Sequence, residues 1–369
     1  MAALAPAVAA IRVAVRRALV GLPTAGPVLV ACSGGADSLA LAAATAFVAP
    51  RLGRPAGLVT VDHGLQAGSA ERAAAVARWA EETGFAPVES VRVRVAGRPG
   101  GPEGAAREAR YQALAEAGRR YGASALLTGH TRDDQAETVL LALARGSGPR
   151  GLAGMPPRRD LSGVPLLRPF LDVSREQTRR ACTVLGFTPW EDPHNVDPSY
   201  ARARVRADVL PALVAALGPA VLENLARTAR LVAADTTALD ALAAAALAEA
   251  RVPTDGRAGT GGTTGDRPAP GGLVVARVPT DGRAGTGGTT GDRPAPGGLV
   301  VAVLAGLAPA LRTRVLHAWA RELGAPAAAL SHRHVAALDA LVTDWRGQGA
   351  VYLPGALRVT RQDGLLVPV

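Results

Sequence analysis

Short apolar runs alternate with Ala- and Leu-rich stretches between Val28 and Gly129, and this alternation constrains the fold more than any other feature of the sequence. The run at 27–32 is continuously apolar, which is typical of a strand buried on both faces of a parallel sheet. Further strands are predicted at 57–62, 87–95 and 125–128, and helices at 38–48, 70–83 and 105–121. Strands that alternate with helices predict an α/β fold, with a parallel sheet covered by helices on both faces.

The rest of the chain predicts a smaller, mainly helical C-terminal domain that ends in a small hairpin at 351–369. Residues 251–276 recur unchanged at 277–302, and we expect this Gly-, Pro- and Thr-rich duplicate to be disordered. Each copy holds only three arginines, which argues against an RNA-binding arm. The expected segments are an N-terminal helix at 1–27, a nucleotide-binding domain at 28–215, a helical linker that starts the substrate domain at 216–250, the duplicate at 251–302 and the remainder at 303–369.

The chain contains no lysine, so all 41 basic residues are arginines. A net charge of +10 fits a polyanionic partner. An arginine-rich composition caused by a GC-rich genome would give the same excess of positive charge. The two cysteines, Cys32 and Cys182, form no CxxC pair, so neither a zinc site nor a disulfide framework is predicted. The sequence shows no basic leader and no run of 18 apolar residues, so we expect a cytoplasmic protein that spans no membrane.

The glycine-rich turn at 33–38, Ser-Gly-Gly-Ala-Asp-Ser, directly follows the first predicted strand. Its glycines permit a sharp bend, and the N–H groups of the turn and of the next helix can hold a phosphate chain. Asp37 can help hold Mg²⁺ against those phosphates. A tight turn with serine as the helix cap is the structural alternative. The absence of lysine excludes a Walker A loop and kinases that place a strand lysine on the phosphates.

Two more polar motifs follow predicted strands and should lie at the same rim of the sheet. Asp62 and His63 end the second strand, and either a nucleotide contact or a structural role fits His63. After the fourth strand, Asp134 and Glu137 are spaced to share one helix face, and two carboxylates there predict a pocket for an ammonium group or a metal. Thr131 with Asp134 equally resembles a capping box at a helix start.

The glycine-rich turn resembles the pyrophosphate (PP) loop of N-type ATP pyrophosphatases, which split ATP into AMP and pyrophosphate. Together with the motifs at 129–138, 103–111, 141–155, 168–171 and 190–195, it resembles the bacterial tRNA(Ile)-lysidine synthetases, also called synthases. The similarity is close over 28–215 and looser over 220–250 and 300–345. Ala203 stands where the family usually has Asn, which puts a local RNA contact in doubt. A further C-terminal domain of longer members is expected to be missing.

This resemblance implies an adenine nucleotide alpha hydrolase-like fold, the cofactors ATP and Mg²⁺, and the substrates L-lysine and tRNA(Ile) with a CAU anticodon. The implied reaction adenylates the wobble cytidine at O2 and then joins lysine to C2; a homodimer is left open. The implied ATP ligands are Ser33, Gly34, Gly35, Ala36, Asp37, Ser38, Asp62, His63, Gly129 and His130, with Asp37 on the metal. The implied catalytic residues are Asp37, Asp134, Glu137 and Arg107, and the implied substrate contacts are Asp134, Glu137, Arg107, Arg110, Arg202 and Arg206.

Three other functions compete with this one. A tRNA thiolase on the same loop would generally need paired cysteines, and an amide-forming ligase would want a glutaminase partner. A non-catalytic, Arg-rich tRNA-binding protein would need neither. The general base is also open: Asp134, Glu137 or Asp37 could take the proton from the incoming amine.

Overall fold

The computed structural model describes residues 5–23, 25–64, 68–94, 101–192, 197–252 and 297–369, without the side chains of 101–103. The chain divides into two compact units, Met1–Thr236 and Thr237–Val369. Most of the duplicate, residues 253–296, lies outside the described residues, so its disorder stays a prediction there. The prediction is wrong for the end of the second copy, because Leu299–Val300 form a strand and a helix begins at Val301.

The first unit is built on a six-stranded sheet in which every neighbouring pair except β5 and β6 is parallel. Its strand order is β3-β2-β1-β4-β6-β5. The strands are β1 Val28–Ala31, β2 Ala56–Asp62, β3 Val88–Arg92, β4 Ala125–Leu127, β5 Arg158–Leu161 and β6 Val164–Leu167. The chain runs from β1 outward through β2 to β3 and then returns to β4 on the other side of β1. Ligands of such sheets bind at this reversal point, beyond the carboxyl ends of the strands.

Helices cover both faces of this sheet, as the sequence predicts. Successive residues of β1 point to opposite faces: Val28 and Val30 join the core under α1, α2 and α7, and Leu29 joins the core under α4. All three are fully buried, and each contributes about 2 kcal/mol of burial free energy. The helices of the first unit are α1 Pro6–Leu19, α2 Ala36–Arg51, α3 Ser69–Glu82, α4 Gly101–Arg120, α5 Arg132–Ala144, α6 Pro149–Leu152, α7 Arg175–Val184, α8 Ala201–Arg204 and α9 Leu210–Leu217, with a π-turn at Val205–Val209.

The β5–β6 hairpin is the main departure from the predicted sheet. Strand β5 runs antiparallel to β6 at the sheet edge, and both strands were missing from the sequence prediction. Strand β5 is charged and partly exposed, so it gives no apolar run. Strand β6 is apolar and mostly buried, but it has only four residues and contains Pro165, which weakens the sequence signal of a strand. The hairpin turns at Ser162 and Gly163, which both have positive φ, as two-residue hairpin loops require.

The second unit packs three helices against a four-stranded antiparallel sheet in the order β7-β10-β9-β8. Its fully buried Trp319 donates its indole N–H to the Gly297 carbonyl over 3.3 Å, which satisfies the polar end of the ring. The hairpin predicted at 351–369 is in fact three strands. The elements are β7 Leu299–Val300, α11 Val301–Ala305, α12 Pro309–Glu322, α13 His332–Thr343, β8 Val351–Leu353, β9 Leu357–Gln362 and β10 Leu365–Pro368.

Helix α10, Val221–Ala250, contains the boundary between the two units. By length and composition alone it could cross a membrane, and it is the one such helix among the described residues. A single helix of this kind is weak evidence for a membrane span, and it also carries Asp235 and Asp240 near its middle. The expectation that nothing spans a membrane therefore stays a prediction.

Candidate active site

A cavity of about 630 Å³ opens in the first unit beyond the carboxyl ends of β1, β2 and β4. It lies at the reversal point of the sheet, where parallel α/β folds bind their ligands. Most of the residues singled out in the sequence line this cavity. They are Ser33, Gly35, Ala36, Asp37, Ser38, Asp62, His63, Arg110, Gly129, His130, Asp134 and Arg206. Gly34, Glu137, Arg107 and Arg202 do not line it.

The glycine-rich turn is held closed by the side chain of Ser38. Its hydroxyl accepts the Ser33 N–H at 3.1 Å and donates to the Gly35 carbonyl at 2.9 Å. Gly34 has φ +84°, a left-handed conformation that glycine adopts without strain. Gly35 is the N-cap of α2 and supplies no side-chain cap, so the first N–H groups of that helix are not satisfied by a side chain. The turn therefore presents free N–H donors and a helix N-terminus to the cavity, which is the requirement for binding phosphate.

Gly129 brings the fourth strand against this turn. A Cβ atom at this position would meet the Asp37 carbonyl oxygen at 2.9 Å and the Ser38 nitrogen at 3.2 Å. Both contacts are with backbone atoms, which cannot swing aside as a flexible side chain can. Glycine is therefore required here for close backbone approach rather than for a special φ angle.

Two neutral histidines face the cavity. His130 accepts from or donates to the Thr128 hydroxyl through Nδ1 at 3.0 Å. The pKa of His130 is lowered to about 3, mainly by burial. The positive charges of Arg110, Arg168 and Arg107 act in the same direction, and the negative charge of Asp134 opposes them. Burial and then Arg110 lower the pKa of His63 as well, and its buried Nδ1 has no hydrogen-bond partner among the described residues. An orphaned ring nitrogen at a cavity wall is available to a bound ligand.

The carboxyl group of Asp37 has a raised pKa. Burial raises the pKa of Asp37 to about 6, and neighbouring Asp134 and Asp133 add to the rise. The Thr178 hydroxyl donates to Oδ1 and Arg175 lies 3.8 Å from Oδ2, and both oppose the shift. Asp37 therefore exchanges a proton near neutral pH, as a group that accepts a proton during a reaction should.

Arg175 joins the three carboxylates predicted for catalysis. Its guanidinium donates to Asp134 Oδ1 at 2.9 Å and to Glu137 Oε1 at 3.1 Å, besides its approach to Asp37. The sequence analysis missed this residue. Arg175 is the first residue of α7, behind a capping box of Ser174 and Gln177, and it lies 38 residues or more from its partners. The capping box predicts a helix start, and nothing local predicts the ion pairs.

Glu137 is fully buried beneath the cavity and is held by arginines. Arg206 donates to both carboxylate oxygens, at 2.8 and 3.2 Å, and Arg202 lies 3.3 Å from Oε2. With Arg175 this makes three guanidinium groups around one carboxylate with 0% side-chain exposure. Glu137 therefore contacts arginines of the site without lining the cavity, whereas Asp134 lines the cavity itself.

Asp134 forms the capping box that the sequence analysis gave as one alternative, and it also lines the cavity. Its Oδ2 accepts the N–H and the hydroxyl of Thr131, each at 2.8 Å, which forms the capping box of α5. Its Oδ1 pairs with Arg175. Burial alone would raise the pKa of Asp134, but Arg175, His130 and Thr131 outweigh it, so the pKa is lowered. Asp134 is therefore ionised at neutral pH.

Arg107 and Arg110 lie one turn apart on α4 and face different spaces. Arg110 lines the cavity beyond β1, β2 and β4, and burial lowers its pKa. Arg107 faces a neighbouring cavity beside Tyr111, whose hydroxyl is 3.4 Å away.

A further wall of the first cavity is formed by Arg72 and Trp190, to which the sequence analysis gave no role. The Arg72 guanidinium stacks 3.3 Å from the centre of the indole ring. Residues 193–195 of the motif at 190–195 lie outside the described part of the chain.

The oxygen ligands around Asp37 do not form a complete magnesium site. They fit a magnesium ion only where phosphate oxygens supply further ligands. Among the described residues no group of three or more His, Cys, Asp or Glu side chains is arranged to hold a metal. Mg²⁺ is usually bound by one or two carboxylates together with substrate phosphates and water. Asp37, which is 27% exposed at the cavity wall, can supply one such oxygen.

The cysteines argue against sulfur transfer. Cys32 and Cys182 are both buried and free, and burial raises the pKa of both thiols, that of Cys182 to about 11. Sulfur transfer needs an accessible thiolate or a cluster ligand. Neither thiol of the described chain meets that need.

Comparisons with known proteins agree with this geometry. A model described as the PP-loop domain matches residues 11–213, and one described as the TilS substrate binding domain matches 299–366. The chain is 68% identical to a tRNA(Ile)-lysidine synthase of Salinispora arenicola over 100% of this chain and 98% of that protein. It is 52% identical to that of Thermobifida fusca, covering 98% and 97%. A U34-tRNA thiolase of Methanococcus maripaludis shares the fold, with TM-score 0.50 and 19% identity over 61% of this chain and 80% of that one.

The raised pKa of Asp37 predicts a pH-dependent penalty on stability. The folded state binds the Asp37 proton more tightly than the unfolded chain does. This proton binding stabilises the folded state fully below pH 4, and the stabilisation is lost as the pH rises through 6. We expect Asp37→Asn to be more stable than the wild type by about 1–3 kcal/mol at pH 8, with the difference vanishing near pH 4. Urea unfolding at both pH values measures it.

Asp172→Asn is the matched control, because Asp172 is 53% exposed and its ion pair with Arg230 lies on the surface. That variant should differ little from the wild type at either pH. A wild type as stable as Asp37→Asn at pH 8 would contradict the assigned pKa.

Proposed function

This chain belongs to the tRNA(Ile)-lysidine synthase family, and on that premise we propose that it uses ATP to join lysine to the wobble cytidine of tRNA(Ile) with a CAU anticodon. The observation that carries the proposal is the uncapped helix start after the glycine-rich turn, facing a cavity that also holds Asp37 and Asp134. Phosphate donors and two acidic groups in one space suit a reaction that first transfers AMP and then replaces it with an amine. The proposed location is the cytoplasm.

In the first proposed step, cytidine O2 attacks the α-phosphorus of ATP and pyrophosphate leaves. The N–H groups of the glycine-rich turn hold the phosphates, and Arg110 adds positive charge where negative charge develops. Asp37 is the proposed ligand of Mg²⁺, which would neutralise phosphate charge when bound. Most of the acceleration then comes from position and electrostatics, since phosphoryl-type transfers need little covalent help from the protein.

In the second proposed step, the neutral ε-amine of lysine attacks C2 of the adenylated cytidine. The new carbon–nitrogen bond forms as the bond from C2 to the AMP oxygen breaks, and AMP leaves with the electron pair. Asp134, ionised at the cavity wall, is the proposed group that orients the amine. Asp37, whose pKa is near 6 without a bound metal, is the proposed acceptor of the amine proton after pyrophosphate and any Mg²⁺ bound to it have left.

Glu137 and its arginines are proposed to act through other groups. Glu137 is fully buried and paired with Arg175, Arg202 and Arg206, so it does not meet the lysine directly. Its charge fixes Arg175, which in turn fixes the orientation of the Asp134 carboxylate. Arg107, placed at the neighbouring cavity, is proposed to contact the RNA rather than ATP.

The substrate dependence of each step tests the proposed function. We expect pyrophosphate release from ATP only when tRNA(Ile) with a CAU anticodon is present, because cytidine O2 is the nucleophile. Lysidine should form only when lysine is added as well. Pyrophosphate release followed by mass spectrometry of the digested tRNA measures both. Rapid pyrophosphate release without tRNA, or sulfur in place of lysine, would contradict the proposal.

Replacing Asp134 with asparagine should separate the two steps. Asparagine has nearly the same shape as aspartate and keeps an oxygen that can accept the hydrogen bonds of the capping box. It has no negative charge with which to orient the lysine amine. We expect lysine transfer to slow by about a hundredfold or more, with pyrophosphate release changed by less than about fivefold. Single-turnover assays of both products measure the split.

Asp172→Asn serves as the control here too, because Asp172 is exposed, does not line the cavity and belongs to the same unit. It should leave both steps intact. Unchanged lysine incorporation in Asp134→Asn would refute the role of Asp134.

A further inference from the structure

A second cavity, of about 540 Å³, lies in the first unit between helix α4 and the β5–β6 hairpin. It shares no lining residue with the nucleotide cavity. Arg110 and Leu114 of α4 line the nucleotide cavity, and Arg107 and Tyr111 of the same helix line the second one. Helix α4 therefore separates two neighbouring spaces, and the second is the more open to solvent.

Arginines surround the ring of Tyr111 at this second cavity. The guanidinium carbons of Arg159, Arg107 and Arg110 lie 4.5, 5.0 and 5.5 Å from the ring centre. Burial alone would raise the pKa of Tyr111, but Arg107, Arg110 and Arg168 outweigh it, so the pKa is lowered. An electropositive field strong enough to reverse the effect of burial on a phenol will also attract an anion.

These arginines have no acidic partner among the described residues, in contrast to those beside Glu137. Neither Arg107 nor Arg159 forms an ion pair with a described carboxylate, and the buried Nε of Arg159 has no hydrogen-bond partner there. Glu108 is the one carboxylate of the described lining, and it is exposed to solvent. Clustered guanidinium groups repel one another, and planar guanidinium donors match the oxygens of phosphate closely.

We infer that this second cavity is a phosphate site that binds a backbone phosphodiester of the RNA substrate, with Arg159 and Arg107 as its donors. The inference rests on the proposed function for the identity of the RNA. When the base of an RNA nucleotide enters the first cavity, its sugar–phosphate backbone stays outside that cavity. The backbone then passes helix α4, which separates the two cavities. ATP is a less suitable occupant, because its phosphate donors lie in the other cavity. Arg119 lines the second cavity as well and extends the positive surface along α4.

The salt dependence of tRNA binding tests this site. Loss of one phosphate contact should lower the slope of log Kd against log salt by about 0.7–0.9. We expect Arg159→Gln to weaken tRNA(Ile) binding about fivefold at roughly 0.1 M salt and to reduce the slope. Arg159→Lys, which keeps the charge, should retain most of the slope. Arg119→Gln provides a second variant on the exposed surface of α4, which removes a charge at this cavity and one solvent-exposed hydrogen bond to the Ser162 carbonyl, and it should weaken tRNA(Ile) binding in the same direction.

Arg158→Gln is the matched control. Arg158 is the neighbouring residue of β5, carries the same charge, is exposed and points to the opposite face, away from the cavity. It should leave both the affinity and the slope within error of the wild type. Equal losses in Arg158→Gln and Arg159→Gln would show a general charge effect and overturn the inference. Unchanged tRNA binding in both Arg159→Gln and Arg119→Gln would overturn it as well.

Titration with ATP separates the two sources of phosphate. ATP affinity should be unchanged in Arg159→Gln, and a loss of ATP affinity with tRNA binding intact would assign the cavity to a free nucleotide and overturn the RNA contact. The outcome is independent of the proposed reaction. A chain that binds tRNA through this site but forms no lysidine would refute the proposed function and leave the phosphate site standing.

Discussion

The close approach of Gly129 to the backbone of Asp37 and Ser38 is the constraint on which the site depends. It joins the turn after β1 to the turn after β4, across the point where the sheet reverses direction. With these two turns in contact, the uncapped start of α2 and the acidic start of α5 face one space. The glycine-rich turn and the Asp134 carboxylate, which are about 100 residues apart in sequence, thereby line the same cavity.

Charge balance explains how so many ionisable groups tolerate burial together. Arg175, Arg202 and Arg206 neutralise Asp134 and Glu137, and every charged pair is within hydrogen-bond or ion-pair distance. Removing one partner of such a buried pair typically costs about 3–5 kcal/mol, because the other charge is left uncompensated. The network is therefore a means of fixing Asp134 in one orientation. Asp37 lies at its edge, and burial, together with the negative charges of Asp134 and Asp133, raises its pKa to about 6.

The sequence predicts the parts of this site that are local in the chain. Buried strand runs, the glycine-rich turn and the i, i+3 spacing of two acids each follow from short-range patterns, and the structure brings the turn and Asp134 to one cavity. Arg175 could not be predicted, because its partners are at least 38 residues away and its own surroundings show only a helix cap. The full burial of Glu137 escaped prediction for the same reason, since Arg206 reaches it from 69 residues away. The β5–β6 hairpin was missed because both strands are only four residues long, β5 is charged and β6 contains a proline.

ATP binding by Gly129→Ala tests the central claim most directly. Gly349→Ala is its control, because a Cβ there meets no atom within 4 Å and Gly349 lies in the second unit. A methyl group at Gly129 must displace the first turn of α2, so the account predicts an ATP Kd raised at least about tenfold, with the control unchanged. Wild-type ATP affinity in a folded Gly129→Ala protein would show that the two turns need not touch to hold the nucleotide.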